Sequence, residues 1–329
     1  MRRLLPLLLP ALLWGGVQAT APAPVPPPRP APAAPLRLVL LSDFNGSYGS
    51  TRYPPALGRV LGRVLNEWKP ALVLSAGDLI AGQRASLSGA AVRAMWAAFE
   101  RDVRGPLARA GIPFAFTLGN HDAGLPRDRR EAATYWGAHP PALNYAERTA
   151  FPFRYSFTQG PLFVAVLDAS GPGVDAAQRD WLAAQLNTPA ARAAAVRLVL
   201  GHLPLAGLSR EKNRPGEVIR PADALALRRV MARGGVTAYV SGHHAAYYPG
   251  RLGGLNVLGS GGIGGRDYVG APGTARSVVT VLDVAALEKG GEVRLAAYDA
   301  DTGAAVPTAS LPARVDGLGG PVVRVETLR

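Results

Sequence analysis

From residue 36 onward, short apolar runs of strand length alternate with segments of helical periodicity, and this alternation constrains the fold more than any other feature of the chain. Leu36–Leu41, Ala71–Ser75, Pro113–Leu118, Leu162–Leu167, Val196–Leu200 and Val236–Val240 are rich in Val, Leu and Phe and nearly continuous in apolar character. That is the pattern of strands covered on both faces. Between the first two, Leu57, Val60, Leu61, Val64, Leu65 and Trp68 share one helical stripe, with Pro70 past its end. Residues 88–110, 175–186 (Trp181, Leu182 and Leu186 inward) and 222–233 read as three further helices, the last stopped by Gly234 and Gly235. The alternation predicts an α/β domain with largely parallel sheets. After residue 250, Leu255–Leu258, Ser277–Leu282, Val293–Tyr298 and Val322–Val325 read as strands between Gly-rich turns. They either complete a second sheet or form a β appendage. We place the domain at 36–290, with a C-terminal β extension over 291–329 packed on it.

The first 35 residues differ in kind. Arg2 and Arg3, an apolar stretch from Leu4 to Leu13, and Val17-Gln18-Ala19 before Thr20 have the form of a secretory signal over 1–19. The stretch is short of the roughly 20 apolar residues of a membrane span. Residues 20–35 form a proline-alanine tract, either an extended spacer or a disordered terminus. The expectation is an exported chain, periplasmic, cell-envelope or extracellular, with no stable membrane insertion once the signal is removed. The net charge of +13 suits anionic partners. No basic block interleaved with aromatics is present, so no specific nucleic-acid recognition is expected. The chain has no cysteine, which excludes disulfides and thiolate metal sites.

The chemistry lies just past the end of each apolar run. The runs lead into Ser42-Asp43-Phe44-Asn45, Gly77-Asp78, Gly119-Asn120-His121-Asp122, Gly201-His202 and Gly242-His243-His244. In an α/β sheet the carboxyl ends of the strands share one edge, where ligands bind. Five strands would thus bring Asp, Asp, Asn, His and His to one place. Four of the five histidines fall in these segments. Carboxylate, amide oxygen and imidazole suit Mn or Fe, with Zn also accommodated. Two such ions clamp a phosphoryl oxygen and lower the pKa of a bound water. Tyr48, Arg84, Tyr247 and Tyr248 lie near these segments, either as substrate contacts or, the better reading, as rim or packing residues.

In order, these segments resemble the calcineurin-like metallophosphoesterase pattern D-x-H, G-D, G-N-H-[DE], G-H and G-H-x-H, over roughly residues 36–262. Gly119-Asn120-His121-Asp122 is the most specific piece. The resemblance implies a four-layer α/β/β/α sandwich with two mixed sheets, and a metal-dependent phosphoester hydrolase acting on a small phosphomonoester or phosphodiester. It implies Asp78 as a bridge between two ions, Asn120, His202 and His243 completing the second-metal site, and Asp43 in the first. It makes His121 a substrate-contacting histidine oriented by Asp122. Two positions depart from the pattern: Asn45 and Ala245 stand where the family has histidines, both at the first metal. Asn45 offers an amide oxygen at most. His244 is a possible substitute ligand, although neighbours in an extended segment point opposite ways. The expectation is therefore one tight divalent site and a second, weaker one. The same departures leave open a catalytically weak metal-binding envelope protein that recognises a phosphorylated ligand.

Overall fold

The computed structural model describes residues 34–329. The signal assigned to 1–19, and all but the last two residues of the 20–35 tract, lie outside the described residues. Sixteen strands are present among the described residues: β1 (Leu36–Leu41), β2 (Leu72–Ser75), β3 (Phe114–Phe116), β4 (Asn144–Ala150), β5 (Arg154–Gln159), β6 (Leu162–Val166), β7 (Val196–Leu200), β8 (Ala238–Ser241), β9 (Tyr247–Leu252), β10 (Leu255–Ser260), β11 (Val278–Ala286), β12 (Gly291–Asp299), β13 (Ala305–Val306), β14 (Arg314–Gly317), β15 (Gly320–Arg324) and β16 (Thr327–Leu328). One sheet runs β13-β12-β11-β1-β2-β3, with β16 also on β12; the other runs β14-β15-β9-β10-β8-β7-β6-β5-β4.

Both sheets are mixed, where the alternation alone suggested largely parallel ones. β1, β2 and β3 are parallel, as are β6, β7, β8 and β10. The remaining pairs are antiparallel, and where short turns join neighbours, as from β4 to β5 and β9 to β10, only a hairpin is possible. The strands after residue 290 are built into both sheets. β12, β13 and β16 continue the first beyond β11, while β14 and β15 pair with β9 in the second.

Strand alternation separates the layers. Leu38, Leu40, Leu72 and Leu74 point into the core shared with the second sheet, and Val39, Leu41 and Val73 point the other way, under the helices Pro55–Arg63, Gly89–Phe99 and Pro126–Ala138. The helices Ala176–Leu186 and Pro221–Arg233 contribute Leu182, Leu186, Leu227 and Met231 to the second sheet's core. The result is the helix–sheet–sheet–helix sandwich. The helix at 126–138 was hidden in sequence by its charge: only Asp128, Ala132, Tyr135 and Trp136 are buried along its 13 residues. It nevertheless places Trp136 flat on Phe116 of β3, with ring centroids 3.8 Å apart. Trp181, expected inward, is only half-buried, with its indole N–H donating to Glu147 at 2.7 Å.

β3 is an edge strand, and it leads to Asn120. Its outward backbone groups are satisfied by one side chain from the other sheet: Phe116 N–H donates to Tyr155 Oη at 2.9 Å, and Tyr155 O–H donates to the Phe116 carbonyl at 2.5 Å. Tyr155 is fully buried, so no water replaces it. Tyr155→Phe would leave both groups dry and unpaired. It is expected to destabilise the fold by roughly 1–3 kcal/mol, read as a lower urea midpoint with an unchanged slope.

Candidate metal centre

The strand ends converge as their parallel order requires. Asp43 follows β1, Asp78 follows β2, and the Asn120 turn follows β3; His202 and His243 follow β7 and β8. The backbone is forced at these points. Of the six non-glycine residues with positive φ among those described, four are here: Asp43 (48°), Asp78 (58°), His243 (63°) and Ala245 (45°). Such conformations are costly for ordinary residues and gather at functional sites. Gly119 shows why glycine stands before Asn120. A Cβ there would overlap both the Asp78 carboxylate and its backbone, so only glycine lets the two loops touch.

At the centre sit Asp78, His202 and His243, all buried, with ligand atoms within 4.8 Å of one another. His202 Nδ1 lies 2.7 Å from the Ala76 carbonyl and so carries a proton. Its Nε2 then faces Asn120 Oδ1 at 2.8 Å, Asp78 Oδ1 at 3.3 Å and His243 Nδ1 at 3.2 Å. The Asn120 oxygen is turned inward because its Nδ2 donates to Gln83 Oε1 at 2.7 Å. The His243 Nε2–H donates to Glu217 Oε2 at 2.6 Å, which frees Nδ1 toward the same point. Acceptor atoms of Asp78, Asn120 and His243 thus converge on His202 Nε2, that of His243 also lying 3.1 Å from Lys212 Nζ. That arrangement requires a cation among them or a second proton on His202.

The same contacts set the charge states. Burial opposes protonation of His202, but the Asp78 carboxylate outweighs it and raises the imidazole to about 9. Burial of Asp78 is in turn overcome by His202 and His121, which hold its carboxyl far below the usual range. Burial lowers His243 to about 4, with His202 and Lys212 adding to the effect against the hydrogen bond to Glu217. The His243 hydrogen bond keeps Glu217 well below the ordinary carboxylate value. Burial and the nearby Asp78 raise Asp43.

Three residues expected in or beside the site do other work. Asn45 directs its amide nitrogen, not its oxygen, inward: Nδ2 lies 3.3 Å from His121 Nδ1 and donates to the Gly46 carbonyl at 3.2 Å. It orients His121, whose ring also stacks on Tyr48 with centroids 5.0 Å apart. Asp122 does not reach that ring. Its oxygens accept the backbone N–H groups of Leu79, Ile80 and Gly119 at 2.8–2.9 Å, tying the Asp78 loop to the Asn120 turn. Burial and Asp78 push its carboxyl up to about 8. His244 points away from the site. Its Nδ1 accepts from the Leu208 and Ser209 N–H groups at 3.1 and 3.0 Å, and its Nε2 donates to the Glu217 carbonyl at 3.0 Å. Both nitrogens are occupied, so it has no lone pair to offer an ion. Tyr247 and Tyr248 are core residues.

Sequence reasoning missed Glu217, Lys212, Gln83 and Arg266. Lys212 Nζ lies 3.1 Å from His243 Nδ1 and 3.6 Å from Glu217 Oε2, and burial lowers its pKa. These residues sit in irregular loops with no periodic pattern around them. The one signal was nearness in sequence to a ligand residue: Gln83 to Asp78, Lys212 and Glu217 to His202, and Arg266 more distantly to His243.

The donor set of Asp78, Asn120, His202 and His243 fits one divalent ion in kind and convergence. Around Asp43 a second set does not close. Asn45 presents N–H groups, Ala245 a methyl group, and Lys212 and Arg266 line the same cavity.

The sequence model of the calcineurin-like phosphoesterase family matches residues 36–247, and the chain belongs to that family. Its fold is similar to that of a purple acid phosphatase from yellow lupin (Lupinus luteus) seeds, with a TM-score of 0.59 and 16% identity over 82% of this chain and 52% of that one. The chain therefore spans about half the length of the lupin protein. GAP50, the anchor in the inner membrane complex of Plasmodium, matches with a TM-score of 0.52 and 14% identity over 83% of this chain and 87% of that one. At such identities the likeness is one of fold. No curated protein sequence matches the chain.

The carboxylate of Glu217 fixes which nitrogen of His243 faces the site. Glu217→Ala should weaken Mn²⁺ binding by roughly 10- to 100-fold, measured by titration calorimetry of chelator-stripped protein. Unchanged affinity would remove Glu217 from the site.

Proposed function

We propose that the chain is an exported hydrolase of small phosphomonoesters or phosphodiesters, working with one divalent ion, Mn or Fe in preference to Zn, held by Asp78, Asn120, His202 and His243. The observation that carries this reading is the convergence of Asp78, Asn120 and His243 acceptor atoms on His202 Nε2, with the outer nitrogens of both imidazoles already fixed. Family membership supplies the reaction class. The signal-like N-terminus supports export, and no helix among the described residues is long and apolar enough to cross a membrane.

The cleft over this centre, about 650 Å³, is lined by Tyr48, His121, Lys212, Arg214 and Arg266. Its cations suit a phosphoryl group. Held by Asp78, Asn120, His202 and His243, a divalent ion would polarise a phosphoryl oxygen and lower the pKa of a water molecule. His121 faces the cleft with Nδ1 accepting from Asn45, so its Nε2 carries the proton. That proton is placed to pass to the departing oxygen of the ester. The His121 N–H also donates to Asp78 Oδ1 at 3.0 Å, which fixes the histidine relative to the ligand set. The alternative, a binding protein with little turnover, is favoured by Asn45 and Ala245 at the first-metal positions and opposed by the oriented His121.

Purified protein should hydrolyse an activated aryl phosphate or its diester in Mn²⁺, and a chelator should stop it. His202→Ala should remove most of that activity together with bound metal. His121→Ala should slow turnover by about two to four orders of magnitude with metal content unchanged. Full activity in His202→Ala would overturn the site. Metal binding without turnover in the parent protein would favour the binding-protein reading.

A further inference from the structure

The cavity beside Asp43 contains two carboxylates, Asp43 and Asp78, and is too poor in donors to complete the coordination of a second ion. It does contain cationic side chains. Lys212 enters it with only 16% of its side chain exposed, and Arg266 lines the same wall. Arg266 is fixed there by its own N–H on the Ala245 carbonyl at 3.1 Å and by Nη1 on the His243 carbonyl at 3.3 Å.

Lys212 is held in place by its loop. His244 grips that loop on both sides, at Leu208 and Ser209 before the lysine and at Glu217 after it. Asn213 Oδ1 accepts the Leu318 N–H at 2.6 Å, anchoring the next residue to the turn between β14 and β15. Arg210 pairs with Asp267 at 3.1 Å, one residue from Arg266. The ammonium is thus set 3.1 and 3.3 Å from the two nitrogens of His243, in the cavity that Asp43 and Asp78 also line. The chain has three lysines among its 36 basic residues, and one of them is here. An ammonium is a compact point charge with three donors, closer in size to a metal ion than a guanidinium is.

We infer that Lys212 takes the place of the second metal ion, supplying from the protein the positive charge that would otherwise bind and orient a phosphoryl oxygen over Asp43 and Asp78. This rests on the reading of the site as one for phosphoesters. A second divalent ion then has no complete donor set, because Asn45 presents N–H groups and Ala245 a methyl group in the cavity that the ammonium lines. His244, which has no lone pair to offer, acts as a positioning residue for the Lys212 loop.

The test uses the chelator-stripped full chain, Mn²⁺ alone and inorganic phosphate, read by metal analysis and titration calorimetry. The parent protein should bind one Mn²⁺ per chain and, once loaded, bind phosphate. Lys212→Met, neutral and of similar length, should keep the single Mn²⁺ at equal or higher affinity and lose roughly 10- to 100-fold in phosphate affinity. Lys212→Arg should recover part of that loss. Circular dichroism and the urea midpoint confirm that each variant is folded. Two ions of comparable affinity in the parent, or phosphate affinity unchanged in folded Lys212→Met, would overturn the inference while leaving the phosphoesterase reading intact. Failure of the parent to bind any Mn²⁺ would overturn both.

Discussion

The hydrogen bond from His202 Nδ1 to the Ala76 carbonyl, 2.7 Å long and fully buried, is the contact on which the rest of the site depends. It keeps the proton on Nδ1, so that Nε2 faces Asn120, Asp78 and His243 with a lone pair for an ion or, without one, with the second proton that Asp78 favours. Each neighbour is then fixed by an outer contact of its own: Asn120 by Gln83, His243 by Glu217, and Asp78 by the His121 N–H. An isolated cluster of this kind would be unfavourable, because several acceptor atoms converge in a dry interior. The two sheets hold it nonetheless. His202 reaches across from the second sheet to the loop that follows β2 of the first, so the contact also registers one sheet against the other.

The backbone carries part of this cost. Asp43, Asp78 and His243 are all in left-handed conformations, and each lies just past the end of a buried strand. Strands with neither face exposed cannot slip without exposing apolar surface, so they can hold strained residues at their ends. Asp122 reinforces the arrangement. By accepting three backbone N–H groups, it makes the Asp78 loop and the Asn120 turn a single unit. This role is architectural, and the orientation of His121 falls to Asn45 and Tyr48 instead.

Much of this was legible in the sequence, for a definite reason. β1 and β7 match their apolar runs residue for residue, because each is buried and apolar apart from one arginine near its start, Arg37 and Arg197. The ligand residues immediately follow such runs, so their convergence is a matter of topology alone. What was not legible depends on the closure of irregular chain. Glu217 and Lys212 lie on a loop whose path is set by His244, Asn213 and Arg210, and no spacing rule encodes that path. The alternation alone hid the mixed character of the sheets, which the family resemblance implied and the structure bears out, since the hairpin and C-terminal strands choose their partners only when both sheets assemble. His244 shows the limit most clearly. Adjacent to His243 and chemically identical, it differs only in which way the backbone turns it.

On the proposed reading, one divalent ion is held at the meeting point of four side chains and Lys212 takes the place of a second. Anomalous diffraction from crystals of the full chain grown with Mn²⁺ tests both statements most directly. The predicted result is a single strong peak bounded by Asp78, Asn120, His202 and His243, with the Lys212 ammonium beside it. No peak at that point, or a second peak of equal strength at Asp43 with Lys212 displaced, would contradict it.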